Sequence, residues 1–288
     1  MAEIVSVIIP VYNEEAALSR VVEKTVKALS PKKSKFEVIL VDDHSTDSSR
    51  GEAEKLAKKF SQVKVAGHDI NLGYGASIKT GMRNSRGDII VLIDADSTYD
   101  PADIPRVLDG MLEFDMVVGK RETDNIPFAR KPAKFVLARL ANYVTETSIP
   151  DLNSGLRAFR KKDVLPFLGI TSNGFSFTTS ITIAYLSKGL SIKYVPISYA
   201  RRKGASKISP IRDFANFVIL IVRTIAYFKP LKVFFPVSGL LFFLALLVYL
   251  SYFFTGVLYD TSVSILIVSG LQIALFGILA DITVKNRR

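Results

Sequence analysis

From Val233 to Tyr259 the chain carries no charged residue, and after Asp260 a second uncharged run extends from Thr261 to Ala280. A helix of about 20 residues rises about 30 Å, the thickness of a bilayer's hydrocarbon core. Two adjacent runs of that length without a charge would be unusual in a soluble core, so residues 231–288 read as a two-helix transmembrane hairpin with a basic tail. Flanking charge sets its expected orientation. Lys229 and Lys232 precede the first run, Lys285, Arg287 and Arg288 follow the second, and the connecting turn carries only Asp260. Both ends then lie in the cytoplasm, and the chain is expected to be an integral protein of the cell membrane, or of the endoplasmic reticulum in a eukaryote. Ser238, Gly239, Gly270 and Gly277 are small enough to let helices pack closely, a feature that would permit a homo-oligomer.

The remaining part of the 288 residues suffices for one substantial core. Cysteine is absent, which excludes disulfides and thiolate metal sites, and two histidines are too few for a zinc cluster. Any metal must therefore sit on oxygen. A net charge of +11 suits nucleic acid, an anionic membrane or a phosphorylated substrate, and its sign does not choose among them.

Short apolar runs at Ile4 to Ile9, Phe36 to Val41, Gln62 to Ala66, Asp88 to Ile93 and Met116 to Val118 read as strands. The first is too short for a signal peptide and is stopped by Pro10. Helical patterns at Glu14 to Leu29, Asp47 to Phe60, Ala76 to Asn84 and Ala102 to Phe114 separate them. Strands apolar throughout, rather than alternating, are covered on both faces, which predicts an α/β fold with a mostly parallel sheet. Ligands of such sheets bind beyond the carboxyl ends of the strands.

Four polar motifs follow four of these strands. Asp94 and Asp96, two apart at a strand end, can turn both carboxylates toward one cation. Hard oxygen ligands suit Mg²⁺ or Mn²⁺, ions that complete their shells with phosphate and water. Capping does not claim this pair, because Thr98-Tyr99-Asp100-Pro101 supplies a helix start of its own. Asp42 and Asp43 form a second acidic pair, suited to a ribose or base, while Asp47 is expected to cap the next helix. Gly73-Tyr74-Gly75 lacks a full phosphate-loop pattern and reads as a tight turn.

The order Pro10-x-Tyr12-Asn13-Glu14, Val41-Asp42-Asp43-x-Ser45-Thr46-Asp47, Asn71-x-Gly73-x-Gly75, Asp94-x-Asp96, Val118-Gly119-x-Arg121, Asp151-x-x-Ser154-Gly155-x-Arg157 and Arg201-x-x-Gly204-x-Ser206-Lys207 resembles the family 2 glycosyltransferases of GT-A fold. Within them it is most similar to the dolichol-phosphate mannose synthases and polyprenyl-phosphate glucosyltransferases. The resemblance implies a catalytic domain over residues 1–210, followed by an amphipathic interfacial helix over 211–230 and then the hairpin. It further implies that Pro10, Tyr12, Asn13, Glu14, Val41, Asp42 and Asp43 line the nucleoside pocket, that Ala95 and Asp96 approach the donor, and that Asp94 and Asp96 ligate the metal. Thr98 stands where some members have Gln, so it would be a shorter third ligand.

The acceptor implied is dolichyl or polyprenyl phosphate, which gives Arg121, Arg130, Arg201 and Lys207 a phosphate to hold and leaves no part for nucleic acid. Arg202 and Lys203 read instead as a juxtamembrane patch for anionic headgroups. The expected reaction is inverting transfer of a hexose, mannose ahead of glucose, from GDP-mannose or UDP-glucose. A phosphate nucleophile is already ionised near neutral pH, with a second pKa of about 6, and needs no strong base. Asp151 is the candidate for a catalytic role beside Asp96, as a base, as an orienting group for the acceptor, or as the partner of Arg157. The alternative is a family 2 transferase acting on a sugar hydroxyl, which would need such a base, although the chain has no tryptophan for a Gln-x-x-Arg-Trp motif. A noncatalytic membrane adaptor is a third class, disfavoured by the metal pair.

Overall fold

The structure is a computed structural model. It describes residues 4–31, 35–121, 139, 142–143, 145–169, 171–174, 176–200, 223, 226–227, 229–257 and 259–286. Two compact units are formed, residues 1–217 and 218–288. The expected interfacial helix over 211–230 lies mostly outside the described residues, as do Arg130, Arg201, Arg202, Lys203 and Lys207.

In the first unit, β1 (Val5–Val11), β2 (Phe36–Asp42), β3 (Val63–Gly67), β4 (Ile89–Leu92), β5 (Met116–Arg121), β6 (Arg157–Arg160) and β7 (Ile192–Ile197) form one sheet in the order β3-β2-β1-β4-β6-β5-β7. Helices α1 (Glu15–Leu29), α2 (Ser49–Lys59), α3 (Tyr74–Asn84), α4 (Ile104–Asp109) and α5 (Phe177–Ser187) pack around it. The four strands β3, β2, β1 and β4 are parallel, as the uniformly apolar runs predicted. β6 runs antiparallel to both β4 and β5. The sheet is therefore mostly parallel with one reversed strand at its middle.

Both faces are covered, which is why the strands are apolar throughout. Val5, Val7, Ile9 and Val11 join Leu18, Val21 and Val22 of α1 and Val107 of α4 in one core. Ile8, buried but absent from that core, turns the other way toward α3. There Gly81 permits the close approach, since a Cβ at that position would lie 2.4 Å from the Ile8 side chain. Complete burial of each Ile or Leu in this layer contributes about 1.5–3 kcal/mol.

The second unit consists of α6 (Leu231–Leu250), a short helical turn at Tyr252–Thr255, and α7 (Asp260–Lys285). Leu231–Phe254 and Asp260–Lys285 are long and apolar enough to cross a membrane, and only 11% of each apolar window is buried. Helices of a soluble core would be mostly buried. Small residues set the helix contact: Ser238 Oγ donates to the Gly270 carbonyl at 2.8 Å, and Gly277 lies under Phe234, where a Cβ would come within 2.7 Å. Gly239, expected to serve the same purpose, has no neighbour within 4 Å of its would-be Cβ. Tyr249, Tyr252, Phe253, Phe254 and Tyr259 ring the connecting turn, all exposed.

Candidate active site

The carboxyl ends of β1, β2 and β4 meet along one rim, as their parallel register requires. Asn13, His44 and Ser97, one in each of the three loops leaving those strands, adopt positive φ values of 54°, 61° and 59°. Left-handed backbone at non-glycine residues costs energy and collects where function constrains the chain.

The loops after β1 and β2 are tied to each other. The Asn13 amide N–H donates to Ser45 Oγ at 3.0 Å, and Thr46 N–H donates to Asn13 Oδ1 at 2.7 Å. Glu14 N–H donates to Ser49 Oγ at 2.8 Å, and Asp47 accepts from the backbone of Ser49 and of Glu15. Asp47, expected as the cap of α2, stands one residue before its N-cap Ser48 and accepts from the N–H of Ser49, the first residue of the helix. Pro10, Tyr12, Asn13 and Glu14 stay partly accessible at this rim, whereas Val41 is fully buried and Ala95 is 3% exposed. The side chains of Val41 and Ala95 belong to the core, so their contact with a donor would be through backbone.

The two aspartates after β2 differ. Asp43 accepts from Leu72 N–H at 2.9 Å and Gly73 N–H at 2.8 Å, and His68 Nδ1 lies 2.7 Å away, so its carboxylate fixes the loop that opens α3. Asp42 is buried, with Arg50 Nη1 at 3.8 Å from Oδ2, but among the described residues its Oδ1 has no hydrogen-bond partner. A buried acceptor without a donor is costly unless a ligand supplies one.

At the end of β4, Tyr74 Oη donates to Asp94 Oδ1 at 2.8 Å. Burial, followed by the charge of Asp94, holds the Tyr74 phenol well above its ordinary range, so it stays a neutral donor. On the other side of the same carboxylate lies Gly155, where a Cβ would come 2.5 Å from Asp94 Oδ2. Tyr99 Oη in turn accepts from Gly155 N–H at 2.7 Å and fixes that glycine. Asp96 Oδ1 accepts from both the backbone N–H of Thr98, at 3.0 Å, and its hydroxyl, at 2.6 Å. Thr98 is 2% exposed with its hydroxyl directed at Asp96, an arrangement that orients the carboxylate. Asp100 caps the following turn through Ala102 N–H, with Pro101 next to it, so capping indeed falls to neither Asp94 nor Asp96.

The donor set fits a hard divalent ion. Among the described residues no group of three or more His, Asp or Glu side chains could hold a metal alone. Two oriented carboxylates at a rim suit an ion that takes its remaining ligands from phosphate oxygens and water, as Mg²⁺ and Mn²⁺ do.

Beyond β5 the arrangement bears on the alternatives left open for Asp151. Arg121 Nε and Nη2 donate to Asp151 Oδ2 and Oδ1 at 2.8 and 2.9 Å, and the Arg121 backbone N–H adds a bond at 3.2 Å. Burial raises the Asp151 pKa, but the Arg121 fork outweighs it and holds the carboxyl below its ordinary value. Asp151 is thus a weak base, and Arg121 spends one bidentate edge within the protein. The hydrogen bonds of Arg157 among the described residues go elsewhere, although the Asp151 charge also favours its ionised form. That guanidinium is fully buried and donates to the Ser154 and Thr178 carbonyls and to Thr182 Oγ1, clamping β6 to α5. The Gly73-Tyr74-Gly75 turn is close-packed for a related reason: the Asn173 carbonyl accepts from Ala76 N–H at 3.0 Å, and a Cβ at Gly75 would lie 2.3 Å from the Ser172 carbonyl oxygen.

Residues 6–165 match the model of glycosyl transferase family 2. The chain belongs to that family. Residues 229–283 match a second model, the GtrB C-terminal hairpin, which covers both long apolar helices. Among curated relatives of this family 2 chain, an undecaprenyl-phosphate 4-deoxy-4-formamido-L-arabinose transferase of Pseudomonas fluorescens is 33% identical over 73% of the chain and 62% of the relative. The enzyme of the same description from Proteus mirabilis is 34% identical over 54% of the chain and 49% of its own length. The chain thus spans about half to three fifths of these relatives. A glucosyl-3-phosphoglycerate synthase from Mycobacterium tuberculosis, solved with Mn²⁺, UDP-glucose and phosphoglyceric acid, shares the fold with a TM-score of 0.59 at 18% identity, covering 77% of this chain and 80% of that one.

Sequence reasoning missed Tyr74 and Gly155 as supports of Asp94. Each lies far from it along the chain, and the only local sign of Tyr74 was a tyrosine set between two glycines.

Proposed function

We propose that this chain transfers a sugar from a nucleotide donor to a polyprenyl phosphate, with inversion at the anomeric carbon. The observation that carries the reading is the pair Asp94 and Asp96, each oriented by neutral donors at the end of β4. These two residues would hold Mg²⁺ or Mn²⁺ against the donor diphosphate. When bound, the ion offsets the charge that grows on the leaving diphosphate. Asp42 Oδ1, buried and without a hydrogen-bond partner among the described residues, would accept from a ribose hydroxyl or base N–H of the donor.

An oxygen of the acceptor phosphate forms the new bond to the anomeric carbon as the bond to the diphosphate oxygen breaks. That oxygen is already ionised and needs no base. This agrees with Asp151, whose carboxylate is engaged by Arg121. The same engagement weakens Asp151 as the base that the hydroxyl-directed alternative would need. Arg130, Arg201, Lys207 and Arg121 would hold the acceptor phosphate in this reading, the last of them already gripped by Asp151. Lys229, Lys232 and Lys285 keep the ends of the hairpin, and with them the site, on the cytoplasmic side of the membrane.

The favoured sugar is a hexose, mannose ahead of glucose. The names of the relatives add 4-deoxy-4-formamido-L-arabinose to the candidates. Purified full-length protein given a panel of labelled nucleotide sugars, a polyprenyl phosphate and Mg²⁺ or Mn²⁺ should form labelled lipid with one of them. Chelation should abolish transfer, and Asp96→Ala should lower it about 10²–10³-fold, the scale of losing one charge-stabilising group. Unchanged transfer by Asp96→Ala would sink this mechanism.

A further inference from the structure

Arg121 ends β5 with only part of its guanidinium engaged. Nε and Nη2 donate to Asp151, and Nη1 has no hydrogen-bond partner among the described residues. A guanidinium carries its five N–H donors in one plane, so pairing along the Nε edge leaves the end edge, Nη1 with the second N–H of Nη2, to a further oxyanion. Where that edge points depends on what fixes the plane. A bidentate pair alone lets the plane tilt about the line through the two carboxylate oxygens.

Tyr199 supplies a second restraint. Its ring centroid lies 5.2 Å from Arg121 Cζ, within the about 6 Å over which an aromatic face attracts a guanidinium. The ring is itself set by buried Tyr99, which meets it edge to face with centroids 5.1 Å apart and planes at 63°. The main chain is pinned too: Tyr199 bridges to Tyr99, and Ala200 N–H donates to the Thr98 carbonyl at 2.8 Å. The segment that carries Arg201 and Lys207 continues directly from this pinned pair. Tyr199 is nevertheless 43% exposed, and its hydroxyl makes no hydrogen bond among the described residues. A ring so placed serves through its face, since neither burial nor the hydroxyl accounts for it.

We propose that Tyr199 is a positioning residue for the acceptor, its ring holding the Arg121 guanidinium plane so that the free end edge receives the acceptor phosphate. The inference rests on Arg121 binding that phosphate. The charge belongs to Arg121 and the ring contributes orientation, so removing the ring weakens acceptor binding and spares the metal side. Asp94 and Asp96 are oriented by Tyr74 and Thr98, through contacts that use none of the Tyr199 side chain.

Equilibrium binding of a labelled polyprenyl phosphate to full-length protein in detergent micelles, without donor, tests this. Tyr199→Leu should bind about five- to tenfold more weakly, whereas Tyr199→Phe, which keeps the ring, should stay within about twofold of the parent. Mn²⁺ affinity, titrated with the ion alone, should be the same in all three proteins. In transfer assays the loss should appear in the KM for the lipid phosphate and leave kcat unchanged. In an Arg121→Lys background, where no planar guanidinium remains, Tyr199→Leu should add less than about twofold. Acceptor binding by Tyr199→Leu equal to the parent's, Tyr199→Phe as weak as Tyr199→Leu, a parallel fall in Mn²⁺ affinity, or an undiminished effect in the Arg121→Lys background would each overturn the inference and leave the transferase reading standing. A parent protein that binds no polyprenyl phosphate would overturn both.

Discussion

Aspartates stand at the end of β4 and against Arg121, the last residue of β5, and the two regions treat them differently. Beyond β5, Asp151 lies in the fork of Arg121 with side-chain exposures of 4% and 19%, and its charge is matched within the protein. At β4, Asp94 and Asp96 receive hydroxyl and backbone N–H donors from Tyr74 and Thr98, which orient the two carboxylates. The first arrangement holds a fold together. The second aims two carboxylates along a rim, the kind of donor set a hard divalent cation uses.

The sharpest way to break this comparison is to remove the matching charge. Arg121→Ala leaves Asp151 buried and unpaired, which should cost about 3–5 kcal/mol of stability in urea unfolding followed by circular dichroism. The pH dependence has a definite sign. Because the folded Asp151 carboxyl titrates below its unfolded value of about 3.9, its stabilisation is fully present above that pH and is lost as pH falls through the lower folded value. In Arg121→Ala this acid-side loss should shrink or reverse. An Arg121→Ala protein as stable as the parent, with the same acid limb, would show that the pair is not structural.

Much of this contrast could be read in the sequence, but only the part that is local. Apolar runs of strand length identified β1 to β5, and their uniform character gave the parallel order, because burial on both faces leaves a direct mark on each residue. β6 left no such mark: Arg157-Ala158-Phe159-Arg160 is short and begins with an arginine whose burial depends on carbonyls of Ser154 and Thr178. α5 was equally silent, since Phe177–Ser187 is buried nearly throughout and rich in threonine and isoleucine, with no amphipathic period to detect. At the site, residue types located the Asp94 and Asp96 pair. What each aspartate pairs with depended on partners far along the chain, an arginine 30 residues away for Asp151 and a tyrosine 20 away for Asp94.

Two substitutions sharpen the other half of the comparison. In Gly155→Ala the new methyl would meet Asp94 Oδ2 at 2.5 Å and its Cγ at 2.8 Å, displacing the carboxylate. Misplacement of about 1 Å in a reacting constellation costs about 10²-fold, so transfer should fall on that scale while the protein stays folded. Tyr74→Phe removes the hydroxyl alone. Loss of a group that orients a metal ligand lowers metal affinity about 10- to 100-fold, so the Mn²⁺ concentration giving half-maximal binding, titrated with the ion alone by its paramagnetic resonance, should rise accordingly. Unchanged Mn²⁺ binding in Tyr74→Phe would mean that Asp94 needs no hydroxyl to hold its orientation.

The smallest effect is expected where a third kind of carboxylate sits in the same loop. Asp100 pairs with Lys24 Nζ at 3.3 Å, but the side chains are 42% and 40% exposed, so solvent screens the pair. Its other bond, from Ala102 N–H, caps the turn that follows the site loop. Lys24→Ala should therefore change stability by less than about 1 kcal/mol, and Asp100→Ala, which also loses the cap, by about 1 kcal/mol or somewhat more. Urea unfolding of the two variants beside the parent separates the contributions. A larger loss for Lys24→Ala than for Asp100→Ala would mean that the loop carrying Asp96 is held by charge after all, and the contrast between the β4 and β5 ends would fail at its own rim.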